Sequence, residues 1–146
     1  MTDVEKAKSL LKNNITCVLV KDDHVLSSTK TGIAPVMELI ENNINLEGYS
    51  VADKIVGKAV AMLFCKAKIK DVYGEVLSES AKAYLEKHGI NFSYNTLAHA
   101  IINRQKTGVC PMEETVKDIE NYDEAFIALK NKLASLKNIQ ERKIWL

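Results

Sequence analysis

The segment IINRQKTGVCPMEETV, residues 101–116, concentrates side chains that can do chemistry. Cys110 precedes Pro111, and proline is favoured at the first position of a helix because its fixed φ and missing N–H cost nothing there. The pattern therefore predicts Cys110 at the N-cap and Glu113 as the third helical residue. The helix dipole and a cation such as Arg104 would favour the thiolate. Cys110 is thus a candidate nucleophile, and Glu113 a candidate acid or base.

A structural role would also account for this segment. Free cysteines are commonly inert core residues, so Cys110 could be no more than a small, buried cap. Glu113 could simply complement the helix dipole, and as a neighbouring anion it would raise the pKa of the thiol. Asn103 and Arg104 could bind a carboxylate or phosphate through paired hydrogen bonds, or they could lie on an exposed loop.

A second group of candidates lies in SVADKIVGKAVAMLFCKA, residues 50–67. This stretch is apolar almost all round, which predicts one helix buried against a sheet. On such a helix Asp53 lies near the start, and Lys54 and Lys58 share one face at i, i+4 spacing. An anionic ligand would relieve the repulsion between the two lysines. Alternatively, Ser50 and Asp53 form a capping box and the lysines are a solvated edge.

Two further features accompany these candidates. Gly57 and Ala61 form a strip of small residues where a backbone or ligand can come close. Ser78 and Glu79 begin a predicted helix and could bind a ligand, although Ser78 is also an ordinary N-cap.

The remaining patterns predict the elements that position these residues. They indicate a helix at 4–13, a hairpin of strands at 16–20 and 24–28, a helix from 35 to 43, a strand at 71–77, a helix at 78–89, a strand at 90–94, and helices at 111–120 and 123–137. A hairpin followed by helix, strand, helix and strand indicates a mixed β-sheet flanked by helices, a three-layer α/β fold. We expect a single domain over residues 1–146.

Composition limits the function. A net charge of +1 without a run of basic residues does not indicate a nucleic-acid-binding surface, so we do not expect nucleic acid as a partner. No apolar run approaches a membrane span and the N-terminus lacks the apolar core of a signal peptide, so we expect a cytoplasmic protein without membrane partners. The three cysteines contain no C-x-x-C, which indicates reduced thiols. Residues 126, 129, 133 and 136 form an apolar stripe that, with the terminal KIWL, could make a homodimer or partner surface, or could be core.

Three segments carry a resemblance to a known family: VADKIVGKAVAML, YGEVLSESA and INRQKTGVCPME. Together they resemble an uncharacterised prokaryotic family, a domain of unknown function, whose representatives are understood to have the cytidine deaminase-like fold. The similarity spans about residues 16–129, and its most specific part is the Cys-Pro-Met-Glu segment. The resemblance implies a fold and no established activity.

Zinc deaminases place a His or Cys and a proton-shuttling Glu at the start of the first core helix, and a P-C-x-x-C pair at the start of the next. The corresponding positions here carry Asp53 and Ile55, and LSESA at 77–81 has no cysteine. The sequence therefore lacks the residues that zinc-hydroxide attack on a base requires, and we expect neither a metal nor another cofactor.

Three classes of function remain. The first is a small-molecule binding or sensing domain that holds a nucleotide-like or other anionic ligand through Lys54, Lys58 and Arg104. The second is a metal-independent enzyme with Cys110 as its nucleophile and Asp53 or Glu113 moving protons, and the third is an interaction module. In α/β sheets ligands collect where helix N-termini converge, so we expect Asp53 and Cys110 to line one crevice.

Overall fold

The computed structural model describes residues 1–102 and 108–145, except for the side chains of residues 138–145. The elements in this part of the chain are α1 (Asp3–Leu10), β1 (Cys17–Lys21), β2 (His24–Ser28), α2 (Ala34–Glu41), β3 (Ser50–Val56), α3 (Lys58–Lys66), β4 (Asp71–Ser78), α4 (Glu79–Lys87), β5 (Asn91–Ala98), α5 (Pro111–Val116) and α6 (Tyr122–Trp145).

The five strands form one mixed sheet in the order β2-β1-β3-β4-β5. β1 runs antiparallel to both β2 and β3, whereas β3, β4 and β5 are parallel. Parallel neighbours need a crossover connection, and here α3 links β3 to β4 while α4 links β4 to β5. The mixed sheet flanked by helices is therefore confirmed.

Helices cover the sheet on both faces. Side chains alternate along β1, so that Cys17 and Leu19 join one core cluster while Val18 and Val20 join another. α1 packs on the second cluster through Ala7, and the first cluster contains residues of α2, α3, α4, α5 and α6. The result is three layers, with β1 buried on both faces.

The predicted single helix over residues 50–67 is wrong in its first half. Ser50–Val56 is β3, the middle strand of the sheet, and only Lys58–Lys66 is helical. An apolar stretch buried on both sides has the same composition in a central strand and in a buried helix, so periodicity cannot separate them. The β-branched residues Val51, Ile55 and Val56 suit a strand, and pairing with β1 and β4 selects it.

Several local predictions are confirmed. The β1–β2 hairpin turns at Asp22, whose φ is 54°, and Pro35 lies in the first turn of α2. Ser78 is the N-cap of α4, where its Oγ accepts a hydrogen bond from the N–H of Ala81 at 3.1 Å. Cys110 is the N-cap residue of α5, directly before Pro111. Each of these depends on neighbours in sequence, which is why the sequence predicted them.

The apolar stripe of α6 belongs to the core. Leu129 is fully buried, and Phe126, Leu133 and Leu136 pack against the main cluster. The side chains of the terminal KIWL lie outside the described residues. In the described part of the chain, no helix has the length and apolar character that crossing a membrane requires.

Candidate functional site

The N-terminus of α3 holds a carboxylate from a distant part of the chain. One oxygen of Glu113, Oε1, accepts a hydrogen bond from the backbone N–H of Lys58, and Oε2 accepts one from Ala59, both at 2.7 Å. The first N–H groups of a helix have no partner inside the helix, and the dipole makes this end attractive to anions. Glu113 therefore caps α3 with both oxygens, a role that the sequence did not predict.

Gly57 makes this approach possible. A Cβ on Gly57 would lie 2.3 Å from Oε1 of Glu113, far inside van der Waals contact. The φ of Gly57 is −100°, which any residue can adopt, so it is the missing side chain that matters here. The predicted close approach at the Gly57–Ala61 strip thus occurs at Gly57, and the approaching group is the side chain of Glu113. We call Gly57, Lys58, Ala59 and Glu113 the carboxylate cradle.

Burial and hydrogen bonding act in opposite directions on Glu113. Partial burial raises the pKa of its carboxyl group, which is the dominant effect, while the N–H groups of Ala59 and Lys58 and the charge of Lys58 lower it. The ammonium of Lys58 itself turns away, donating to the carbonyl of Lys117 at 3.2 Å and pairing with Glu120 at 3.4 Å. The cradle is thus built mainly of backbone donors.

Lys54 and Lys58 do not share a face. Lys54 lies on β3, and its ammonium donates to the backbone carbonyl of Asn13 at 2.6 Å, whereas Lys58 is the first residue of α3. The i, i+4 helical pair that we predicted is wrong because a strand precedes Gly57. An anion bridging the two lysines has no support in this geometry, and their ligand-binding role stays a prediction.

Asp53 lies in the middle of the sheet and is only 6% exposed. It is not part of a helix start, so neither the helix-cap role nor the capping box with Ser50 exists. Burial raises the pKa of Asp53 to about 7, although hydrogen bonds from the N–H groups of Ile55 and Lys54 act in the opposite direction. At neutral pH this carboxyl group is therefore partly protonated.

The thiol in register with Asp53 is that of Cys17, its partner across β1 and β3. Directly opposite residues of an antiparallel pair project to the same face, so the two side chains are neighbours. Burial, and secondarily the charge of Asp53, raise the pKa of Cys17 well above its usual range. Sequence patterns could not identify this pair, because strand register brings together residues that are distant along the chain.

At the start of α4 the candidate residues are engaged with their neighbours. Ser78 is fully buried and its Oγ lies 3.1 Å from that of Ser80. Glu79 is exposed and its Oε2 lies 3.1 Å from Nδ1 of His99, a contact that sequence analysis missed. Because Ala98 is the last residue of β5, His99 places this pair at the carboxyl end of the sheet.

Cys110 is partly buried and packs against the main core cluster, while Cys17 and Cys65 are buried. The side chain of Cys110 makes no capping hydrogen bond, and the backbone N–H of Cys110 donates to the carbonyl of Ile101 at 3.0 Å. The nucleophilic role stays a prediction, as does the crevice shared with Asp53. Asn103 and Arg104 lie outside the described residues.

The described side chains show no cluster of candidate metal ligands. None of their His, Cys, Asp and Glu residues form a group of three or more that could hold an ion. The expectation of a metal-free protein stays a prediction.

Comparison with known proteins identifies relatives of this chain. The model of a family described as a domain of unknown function, DUF1893, matches residues 5–133. The crystal structure of a DUF1893 family protein, TM1506 from Thermotoga maritima, is similar with a TM-score of 0.82 and 27% sequence identity. The similarity covers 89% of each chain. Among curated proteins, no relative matches this chain.

The cradle predicts strong coupling between Gly57 and Glu113. Glu113→Ala should lower the free energy of unfolding by about 2 kcal/mol, because two N–H groups of α3 lose their acceptors. Gly57→Ala should cost a similar amount alone, since its Cβ expels the carboxylate, but little in the Glu113→Ala background. Urea unfolding of the wild type, both single variants and the double variant measures this coupling. Additive losses would mean that Gly57 and Glu113 do not act together.

Burial of Asp53 predicts a specific pH dependence. The folded-state pKa of about 7 lies above the unfolded value, so the protonated form favours folding. Below about pH 4 the carboxyl group of Asp53 is protonated in both the folded and the unfolded protein and costs no stability. As the pH rises towards 7, this group alone lowers the free energy of unfolding by on the order of 4 kcal/mol. Asp53→Asn should remove this loss. Urea unfolding of both proteins between pH 5 and pH 8 should therefore show a widening advantage for the variant, and a constant difference would contradict the raised pKa.

Proposed function

Because the chain belongs to the DUF1893 family, a domain of unknown function, we propose its function from the site. It is a small-molecule binding or sensing domain that holds the anionic group of its ligand, a carboxylate or a phosphate, at the N-terminus of α3. In the unliganded protein Glu113 occupies this position as an internal substitute. The ligand exchanges with Glu113 and thereby frees α5.

The observation that supports this proposal is the double hydrogen bond of Glu113 to Lys58 and Ala59. A carboxylate held by two backbone N–H groups, in space left open by Gly57, has the contacts that an anionic ligand would make. Lys58 is a cation whose charge acts on Glu113, and in the liganded state it would turn from Glu120 to the anion. Lys54 takes no part, because it is engaged with Asn13.

Exchange of Glu113 gives the domain a means of reporting its ligand. Partial burial raises the pKa of Glu113, which means that its ionised form is held at a cost in solvation. A free anion that replaces it would return Glu113 to water and loosen the six-residue helix α5. The equilibrium shifts only as far as the ligand prefers the open state, so sensing requires a ligand that binds better than Glu113 does.

The cytidine deaminase-like fold forms part of this proposal. The order β2-β1-β3-β4-β5 with an antiparallel β1, and the helices α3 and α4 that follow parallel strands, are consistent with it. In such sheets ligands bind outside the carboxyl ends of the strands, which is where the cradle lies. With the corrected boundaries, the helix starts read GKAV and SESA, and neither contains the His, Cys or P-C-x-x-C of a zinc deaminase.

Anion binding to Glu113→Ala tests the proposal. In this variant acetate and phosphate should shift the amide NMR resonances of Lys58 and Ala59 with millimolar affinity, at least about tenfold tighter than in the wild type, because no internal carboxylate competes. Nucleoside monophosphates, titrated alongside, show whether a base adds affinity.

The matched control is the double variant Gly57→Ser with Glu113→Ala. Serine is a favoured N-cap, and its hydroxyl would satisfy the same end of α3 without leaving room for a ligand. Anion shifts should therefore disappear in this protein. If no anion shifts the two amides in Glu113→Ala, the cradle is only a helix cap and the proposed function fails.

A second candidate function uses Cys110 as a nucleophile. The observation in its favour is that Cys110 is the one partly exposed thiol of the three, whereas burial raises the pKa of Cys17 and of Cys65, the latter to about 12. In an acyl transfer the thiolate would form a thioester as the leaving group departs with a proton from Asp53 or Glu113.

Alkylation rates separate this enzyme from a binding domain. With iodoacetamide at neutral pH, Cys110 should react at least about tenfold faster than Cys17 or Cys65, because it is the more exposed thiol and burial raises the pKa of the other two. Mass spectrometry of the peptides measures the rates, Cys110→Ser should abolish the fast phase, and Cys65→Ser should leave it unchanged. Equal rates at all three thiols would remove the case for a reactive Cys110.

A further inference from the structure

In the part of the chain that the structure describes, no strand pairs with the outer edge of β5, and β5 lacks the charges and prolines that often protect such an edge. β5 is an end strand of the sheet, and residues 93–97 are all exposed. Natural edge strands usually carry a charged residue or proline that prevents pairing with other chains. The eight residues of β5, NFSYNTLA, contain neither, and Tyr94 and Leu97 are each 39% exposed. The strand is therefore suited to accept another strand.

The opposite edge differs. β2 has only five residues, and its hairpin with β1 turns at Asp22 and Asp23, next to Lys21. Charges at the end of a short strand oppose the approach of a second chain. The two edges thus differ, and β5 is the edge along whose full length an incoming strand can pair.

We propose that β5 pairs antiparallel with β5 of a second copy of this chain, joining the two sheets into one of ten strands. A two-fold axis perpendicular to the sheet passes near Tyr94 and Asn95, the middle of the strand. Such an isologous interface closes on itself, as most homodimer interfaces do. Because β5 is uncharged, identical residues near the axis meet without repulsion.

The position of α4 supports a second copy as the occupant rather than an isolated peptide. α4 packs on both β4 and β5. Strands lie about 4.8 Å apart, so in the joined sheet the α4 helices of the two copies would lie about 10 Å apart, a normal distance between packed helices. Ala83, halfway along α4, is exposed and small enough for this approach. A peptide could pair with β5 but could not supply the second helix.

Charge complementarity also favours this arrangement. α4 carries Glu79 in its first turn and Lys87 in its last. The two-fold axis makes the two α4 helices antiparallel, so Glu79 of each copy would face the end of α4 that carries Lys87 in the other. The two side chains would then exchange their contacts with His99 and Glu120 in the same copy for each other. The dipoles of the two antiparallel α4 helices also attract each other.

Charge substitution at the axis tests the dimer in the full-length protein. Sedimentation equilibrium should show the wild type as a dimer in the micromolar range. Asn95→Lys and Asn95→Glu should each raise the dissociation constant at least about tenfold, because like charges meet across the axis. An equimolar mixture of the two variants should recover dimers, since opposite charges then meet. Circular dichroism confirms that each variant is folded.

Cysteine cross-linking locates the interface in a Cys110→Ser background. Tyr94→Cys or Asn95→Cys should form an intermolecular disulfide on oxidation, because residues next to the axis bring their Cβ atoms within bonding reach. Ser27→Cys on β2 is the matched control at the other edge and should not. A monomeric wild type, charged variants that dimerise unchanged, or cross-linking through Ser27→Cys alone would each overturn the proposal.

Discussion

The arrangement of the helices depends on the cap that Glu113 provides for α3. β3 runs directly into α3 through Gly57, a residue with no side chain to cap the helix, so the first N–H groups need an acceptor from elsewhere. The chain supplies it from a position 55 residues later than Lys58. This bond fixes α5 over the start of α3, and with α5 come the buried side chains of Met112 and Val116. One carboxylate thus determines where the C-terminal part of the chain begins to pack.

A second set of contacts, made by Glu120 in the segment between α5 and α6, supports the same arrangement of helices. Glu120 pairs with both Lys58 and Lys87, and its backbone carbonyl accepts a hydrogen bond from Tyr84 at 2.8 Å. The ion pairs at Glu120 are exposed and contribute little stability. They mainly fix the orientation of α3 and α4, because residues of both helices contact the short segment that contains Glu120. The buried apolar contacts between α6 and α3, with Leu129 among the core residues, contribute more to the free energy of unfolding than these exposed ion pairs.

Asp53 is the opposite case, a residue that costs stability where it stands. An ionised carboxylate at the centre of a sheet is poorly solvated, which is why its pKa rises to about 7. It also has a structural use, because β3 continues beyond the first residue of β1 and Asp53 accepts the N–H of Ile55 at that point. Perturbed carboxyl groups are frequent at functional sites, and among the described residues burial raises the pKa of three of them, Asp53, Asp71 and Glu113, most strongly that of Asp53.

The sequence by itself determined the features that depend on neighbours along the chain. The β1–β2 hairpin, the Ser78 cap and the Cys110–Pro111 helix start all follow from short-range geometry, and the apolar stripe on α6 follows from helical periodicity. Only the tertiary structure decided that Ser50–Val56 is a strand, because an apolar stretch takes the conformation that its long-range partners allow. The same holds for Cys17 beside Asp53 and for Glu113 at α3. Register and side-chain reach join residues that are far apart in sequence, and no local pattern records which of them will meet.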